Sequence, residues 1–185
     1  MIDLRHPLPT GIELGGELFL FDTDFRTWIE FLRIYEDAGV AWSGVFSEQV
    51  PDGDEWVEPA LEFAMSKNST PTGSEGSTER ALDFIEDGDY LVGSFWQAYG
   101  INLAEIEHMH WHVFLALFRS LPSSTKIMEI MSYRTFKESD LKEKPIDRYK
   151  KARSRWKLPV KKNEAVLSWQ EQMFGNIPIP EQANE

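Results

Sequence analysis

Apolar side chains recur at strand or helix spacing along the first forty residues of this chain. Residues 11–21 alternate between apolar and polar positions around a Gly-Gly dipeptide that suits a two-residue turn, so this segment predicts a β-hairpin. The next segment predicts an amphipathic helix that Asp22 or Asp24 caps and Gly39 ends. Its apolar positions are Phe25, Trp28, Ile29, Leu32 and Tyr35.

The middle of the chain predicts shorter helices separated by a polar loop. A helix from about Glu55 to Met65 is followed by residues 67–78, whose Ser, Thr, Gly and Pro content is typical of a loop. Ser77 or Thr78 then caps a short helix that ends at Gly88. Its expected buried side chains are Ala81, Phe84 and Ile85. Asp89 caps another helix, which ends at Gly100 and carries Leu91, Phe95, Trp96 and Tyr99.

The richest apolar segment lies between Asn102 and Leu121. Asn102, with Glu105 three residues later, is a capping signal, so the pattern predicts one long, central, buried helix. The side chains expected on its core face are Ile106, His110, Trp111, Val113, Phe114, Leu117, Phe118 and Leu121. Those expected on the opposite face are Glu105, His108, His112 and Arg119.

A further helix is predicted to start at Ser123 or Ser124 and to reach Arg134, followed by short C-terminal helices. The predicted fold is therefore α+β and predominantly α-helical. A small N-terminal β-hairpin packs on a helical bundle that has one central buried helix.

Charge divides the chain unevenly. The net charge is −12, yet residues 142–162 hold ten of the nineteen Lys and Arg against two acids. Residues 1–141 hold nine Lys and Arg against twenty-five Asp and Glu. We therefore predict an acidic helical body with the hairpin at 1–141 and a basic, weakly anchored helical arm at 142–185.

Composition excludes several classes of chemistry and location. Without cysteine the chain has no disulfide, thiol nucleophile, thiolate zinc site or iron–sulfur cluster. The N-terminal residues lack the pattern of a signal peptide, and no apolar run approaches the roughly 18 residues of a membrane span. We expect a cytosolic protein without membrane contact.

The three histidines at 108, 110 and 112 invite a metal hypothesis. On one helix, His108 and His112 would lie a turn apart beside Glu105, and such a set could hold zinc or ferrous iron. A solvated helix face explains these residues better, so we predict no metal. His110 lies on the apolar face, and we expect it to be buried and to donate to a backbone carbonyl or an acidic side chain.

No nucleophile, phosphate-loop or dinucleotide motif is present, and turn or cap roles explain the Asp pairs at 22/24, 52/54 and 87/89. We predict no enzymatic activity, no catalytic residue and no cofactor. The basic stretch mixes cations with an aromatic side chain, as single-strand binders do, but the acidic body opposes nucleic acid. We therefore predict that it binds a protein partner through Arg148, Lys150, Lys151, Arg153, Arg155 and Trp156.

Four sequence blocks follow one another along the chain: LPTGIELGGELFLFDTDFRTWIEFL, then DGDYLVGSFWQAYGINL, EHMHWHVFLALFRSLP and IMSYR. In this order they resemble a tailed-bacteriophage family known by its gene-product number, fifteen. The matching positions include Asp24, Phe25, Arg26, Trp28, Tyr99, Gly100, Met109, His110, Trp111, Phe114, Leu117, Leu121 and Arg134.

The resemblance implies a tail-morphogenesis protein that acts in the cytoplasm of the bacterial host. On this reading it is a non-enzymatic tail assembly chaperone that binds the tape measure protein or another phage tail protein. The opposite charges of body and arm also allow self-association. Two alternatives remain open: a structural component of the tail, and a metalloenzyme using Glu105, His108 and His112.

Overall fold

The computed structural model describes residues 3–65, 80–141 and 146–159, with the backbone alone at 139 and 140. These residues form six α-helices and one two-stranded hairpin, which confirms the predicted α+β, mainly helical fold. The chain divides into two compact units. The described part of the first comprises residues 3–65 and 107–117. That of the second comprises 80–106, 118–141 and 146–159.

The hairpin of the first unit is as predicted. Strands β1 (Gly11–Leu14) and β2 (Glu17–Leu20) pair antiparallel, with Leu14 opposite Glu17. The two turn residues, Gly15 and Gly16, have φ of 60° and 85°. A two-residue turn with positive φ at both positions matches the strand twist and favours glycine, because a Cβ is strained there.

Helix α1 (Phe25–Ala38) also agrees with the sequence prediction. Asp24 is its N-cap, since one carboxylate oxygen accepts the backbone N–H of Arg26 at 3.1 Å. Gly39 ends it in the left-handed conformation at φ 69°. The buried apolar side chains of α1 are Phe25, Trp28, Phe31 and Leu32.

Aromatic rings fill the core of the first unit. The ring of Phe21, just after the hairpin, lies 5.0 Å from the rings of both Trp28 and Phe63. Phe63 belongs to α2 (Val57–Met65), which starts two residues later than predicted. Trp28 and Phe63 are 4.3 Å apart, and Trp28 is fully buried. Such contacts between large rings dominate core energetics.

The predicted long helix starting after Asn102 is wrong at its N-terminal half. Helix α4 spans only Trp111–Arg119. Asn102 instead closes a tight turn, because its side-chain oxygen accepts the backbone N–H of Ala104 at 3.1 Å. A capping signal alone does not distinguish a single turn from a helix.

Strand-like pairing holds the residues before α4 in extended form. The backbone N–H of Phe25 donates to the carbonyl of Met109 at 2.9 Å, and that of Trp111 donates to the carbonyl of Thr23 at 2.8 Å. These bonds form an antiparallel bridge between Asp24 and His110. The bridge occupies the carbonyl of Met109 and the N–H of Trp111, so these two groups are not available to a helix that starts earlier, and the first carbonyl that α4 uses is that of His110.

The N-terminal part of α4 is buried as predicted. Trp111 and Phe114 are fully buried, and so is Leu115, which was not among the predicted core residues, whereas the predicted Val113 and Leu117 are half-buried. The indole N–H of Trp111 donates to the carbonyl of Ala64 at 2.8 Å, and the ring of Phe114 stacks on that of Phe25 at 4.9 Å. The indole therefore fills core volume and has its polar atom satisfied.

The second unit contains α3 (Gly88–Tyr99), α5 (Lys126–Thr135) and α6 (Ile146–Arg155), with a 3-10 turn at Glu138–Leu141. Gly100 ends α3 as predicted. Helix α5 starts slightly later than predicted, after its N-cap Thr125.

The short helix predicted before Gly88 is wrong in its described part, and its predicted caps at 77 and 78 lie outside the described residues, as does the predicted loop at 67–78. Residues 80–83 are irregular and 84–87 form a turn. The carboxylate of Asp83 accepts the backbone N–H groups of Ile85 and Glu86 at 2.9 and 3.1 Å. These local bonds compete with helix formation, and Ile85, predicted to be buried, is exposed.

A buried ion pair connects four segments of the second unit. The guanidinium of Arg134 on α5 binds both carboxylate oxygens of Asp87, at 2.6 and 2.9 Å. The two side chains are only 5% and 2% exposed. Arg134 also donates to the carbonyls of Ala81 and Trp156 at 3.0 and 2.7 Å. The fork of donors on arginine suits it to this role.

No helix within the described residues is both long enough and apolar enough to span a lipid bilayer.

Candidate protein-binding surface

Helix α6 carries most of the residues predicted to bind a partner, and its inner face is fixed by an aromatic cluster. The cluster consists of the buried residues Tyr133, Phe136, Leu141 and Tyr149, with Ala152 and Trp156 packed against it. The ring of Tyr149 meets those of Tyr133 and Phe136 edge-on at 5.4 and 5.5 Å. Burial and a hydrogen bond to Glu129 raise the pKa of Tyr133 to about 12. The inner positions of α6 are spaced at helical intervals, which leaves its other positions outward.

The predicted arm at 142–185 stays a prediction, because residues 142–145 and 160–185 lie outside the described part of the chain. Within the described part, α6 contacts α5 through buried Tyr149, which is 1% exposed. This contact anchors α6 to α5, although the helix is rich in basic residues.

Two of the predicted binding residues face inward. The guanidinium of Arg153 lies 3.7 Å from the centre of the Phe136 ring and donates to the carbonyls of Phe136 and Tyr133. These carbonyls lie at the C-terminal end of α5, where a cation is favourable. Trp156 is half-buried, with its ring 5.5 Å from that of Tyr90 and 5.3 Å from the ammonium of Lys126. Arg153 and Trp156 therefore position α6.

The other four predicted residues are exposed on α6. Lys150 pairs with Glu138 at 2.7 Å, and both side chains are more than half exposed. Arg148, Lys151 and Arg155 follow one another at spacings of three and four residues, so they form one stripe along the helix. We call these three residues the cationic face of α6.

The histidines at 108, 110 and 112 lie in the first unit and each contacts another segment of it. His112 is half-buried, and its Nε2 donates to the carbonyl of Phe63 at 2.9 Å. It was predicted on the solvated face, but Phe63 of α2 covers it, with the two rings 4.4 Å apart. His108 is exposed, with its Nε2 3.2 Å from the hydroxyl of Thr23.

His110 is the N-terminal cap of α4. Its Nδ1 accepts the backbone N–H of His112 at 3.1 Å, so its Nε2 carries the hydrogen and donates to the carbonyl of Pro9 at 2.9 Å. The predicted bond to a backbone carbonyl is confirmed, although the ring is half-buried rather than buried. Burial lowers the pKa of His110, as does the neighbouring His108, while the bond to Pro9 opposes this shift.

The metal hypothesis required His108 and His112 on one helix face, and α4 begins after His108. Among the described residues, no three histidine, aspartate or glutamate side chains converge in a way that could hold a metal ion.

Sequence reasoning missed an exposed tryptophan. Trp96 was predicted among the apolar side chains of α3, but it is 61% exposed, whereas its neighbour Phe95 is fully buried. Adjacent helical residues point about 100° apart, so burial of Phe95 does not require burial of Trp96. Gly93 lies one turn before Trp96, and a Cβ placed there would meet no atom of the described residues within 4 Å, apart from its own helix. The described part of the chain therefore leaves the surface beside the indole open.

Within each unit, segments that carry the family resemblance contact one another. Asp24 and Arg26 belong to the first block and Met109 to Trp111 to the third, and they join at the bridge between Asp24 and His110. Arg134, in the last block, makes the buried ion pair with Asp87. These shared residues hold the fold together.

No curated protein and no solved structure matches the chain. The sequence profile of the family described as Bacteriophage Gp15 protein matches residues 4–158, which cover most of the chain. The chain therefore belongs to the Bacteriophage Gp15 protein family.

Proposed function

We propose that this phage protein is a non-enzymatic tail assembly chaperone that binds the tape measure protein in the cytoplasm of the bacterial host. A tape measure protein is a long helical chain that must stay in solution until the tail tube forms around it. A chaperone for such a chain needs an exposed apolar surface that covers apolar stripes on helices.

The exposed indole of Trp96 is the observation that carries this proposal. Tryptophan is among the residues most enriched at the energetic centre of protein interfaces. Here it stands on an ordered helix beside an open glycine position, where a partner helix has room to approach. An indole that is 61% exposed leaves most of its surface, apolar ring and polar N–H together, available to a partner.

Co-expression with the tape measure protein of the same phage tests the proposal. We expect the soluble fraction of the tape measure protein to rise when this chain is present, and Trp96→Ala to reduce that gain. Leu18→Ala is the matched control, since Leu18 is 62% exposed on the hairpin. An unchanged soluble fraction with the wild-type chain would refute the chaperone role.

Mass spectrometry of purified virions separates the chaperone from a structural tail component. A chaperone is absent from the finished particle, whereas a structural component is present in fixed stoichiometry.

A further inference from the structure

The cationic face of α6 stands out against a strongly acidic chain. Its three residues are exposed, and the packing of Tyr149 fixes the helix that presents them. With a net charge of −12, two copies of this chain repel one another at long range. Any contact between copies that is favoured by charge must therefore involve a local basic surface, and this face is one.

Helix α2 and the turn before it carry the opposite charge. Residues 52–62 contain five exposed carboxylates and no Lys or Arg. Three of them, Glu55, Glu58 and Glu62, follow one another at spacings of three and four residues. We call these three residues the acidic face of α2. It has the same number of charges, over the same eight-residue span, as the cationic face of α6, with Glu55 in the turn and the other two residues in the helix.

We propose that the cationic face of α6 docks on the acidic face of α2 in a second copy of this chain. In α6, the seven steps from Arg148 to Arg155 cover about 10 Å, so three cations on this face lie within reach of three carboxylates on the other. Each exposed pair adds little alone, and several pairs in register are needed for measurable association. The occupant is a second copy because this chain itself provides the complement in both sign and spacing.

This contact joins two different surfaces, so it is heterologous. Each copy that uses its α6 face keeps its α2 face available for the next copy, which gives a ring or an open chain of subunits. The inference rests on the proposed function in one respect: repeated head-to-tail contacts would let the subunits cover a long tape measure protein.

Sedimentation of the full chain over a series of concentrations and salt levels tests the contact. We expect the mean mass to rise with concentration at about 0.02 M salt and to fall to that of the monomer near 0.5 M, because salt screens exposed charges. A chain that stays monomeric under all these conditions, or whose association does not weaken with salt, would overturn the proposal.

Charge reversal identifies the two faces. We expect the double variant Lys151→Glu with Arg155→Glu to weaken association by at least roughly tenfold. The double variant Glu58→Lys with Glu62→Lys should do the same. Mixing the two variants at equal concentration should restore association, because each reversed face then meets an opposite charge. Failure of the mixture to associate, with both variants folded by circular dichroism, would overturn the pairing.

A matched control separates a specific contact from a change in net charge. Arg5→Glu changes the net charge as much as Arg155→Glu does, at an exposed residue outside both faces. We expect Arg5→Glu to leave association within about twofold of the wild type, the scale of an isolated exposed charge. An equal loss of association in Arg5→Glu and Arg155→Glu would contradict the proposal.

The two proposals fail in different ways. A monomeric chain that still keeps the tape measure protein soluble refutes the contact between copies alone. A chain that associates as expected but leaves the tape measure protein insoluble refutes the chaperone role alone.

Discussion

The carboxylate of Asp24 joins the start of α1 to the residue Met109, 85 positions later in the chain. One oxygen accepts the backbone N–H of Arg26 at 3.1 Å, and the other accepts the backbone N–H of Met109 at 3.1 Å. The same residue thus caps a helix and fixes the extended segment that precedes α4. Both roles together need an acceptor with two oxygens, which a carboxylate provides, and the guanidinium of Arg26 also donates to both of them.

Replacing Asp24 tests this double role. We expect Asp24→Ala to lower the free energy of unfolding by about 2–4 kcal/mol, since it removes a helix cap and a second charge-assisted bond. Asp24→Asn retains one acceptor oxygen and should fall between the wild type and the alanine variant. Urea denaturation measures both values, with Asp52→Ala, an exposed loop carboxylate, as a control that we expect to be neutral.

The stability of the first unit should fall as the pH drops through the titration of His110. Burial holds the pKa of His110 below its ordinary value of 6.5, so the unfolded chain binds the proton more readily than the folded one. The stability that neutral His110 contributes is therefore complete above about pH 6.5, and it is lost as the pH falls through the pKa of His110 in the folded chain. Protonation of Nδ1 also removes the acceptor that caps α4.

His110→Asn keeps a capping side chain that does not titrate near neutrality. We expect this variant to lose less stability than the wild type between pH 7.5 and 5, by about 0.5–2 kcal/mol, the usual value of a helix cap. Urea denaturation at a series of pH values provides the measurement. An identical pH dependence in the two proteins would show that His110 is not the titrating group.

Side chains of α4 and of the segment just before it should differ strongly in how much they contribute to the free energy of unfolding. We expect Trp111→Ala and Phe114→Ala each to destabilise by roughly 3–5 kcal/mol, because both are fully buried and leave cavities. His112→Ala should cost about 1–2 kcal/mol, since the carbonyl of Phe63 loses its donor. Exposed His108→Ala should cost less than about 0.5 kcal/mol. Thermal and urea denaturation measure these losses, and a loss of stability in His108→Ala as large as that in Trp111→Ala would contradict this order.

Asp87 and Arg134 form a buried ion pair, so the stability lost on replacing one of them should depend on whether the other is present. Asp87→Ala leaves a buried guanidinium without its counter-charge, and we expect a loss of about 3–5 kcal/mol. The double variant Asp87→Leu with Arg134→Met should lose less stability than Asp87→Leu and Arg134→Met lose in sum, as a double-mutant cycle measures. Simple additivity would show that the pair is not coupled in solution.

Truncation tests the predicted boundary at residue 142. Ending the chain after Leu141 removes Tyr149 from the aromatic cluster, and we expect a loss of at least about 2 kcal/mol, the value of one large buried side chain. Ending it after Pro159 retains α6, so the difference between the two truncations in urea reports the contribution of α6 alone. Equal stability of the two would support a separable arm that starts at 142.

Local patterns in the sequence determined the elements whose signals are complete within a few residues. The hairpin follows from two successive glycines with positive φ, and α1 follows from a cap, a helical apolar period and a terminal glycine. The α+β class and the family resemblance were likewise available from the sequence, because both depend on the order of such segments.

Only the tertiary structure decided where α4 begins and which side chains of α3 and α6 are exposed. Met109 and His110 had helical periodicity, but the hydrogen bonds that Met109 and Trp111 make with Phe25 and Thr23 hold this segment extended up to the start of α4. The exposure of Trp96, the inward position of Arg153 and the partners of Arg134 depend on neighbours far along the chain. Periodicity describes one segment at a time, whereas a buried hydrogen bond or ion pair requires both partners.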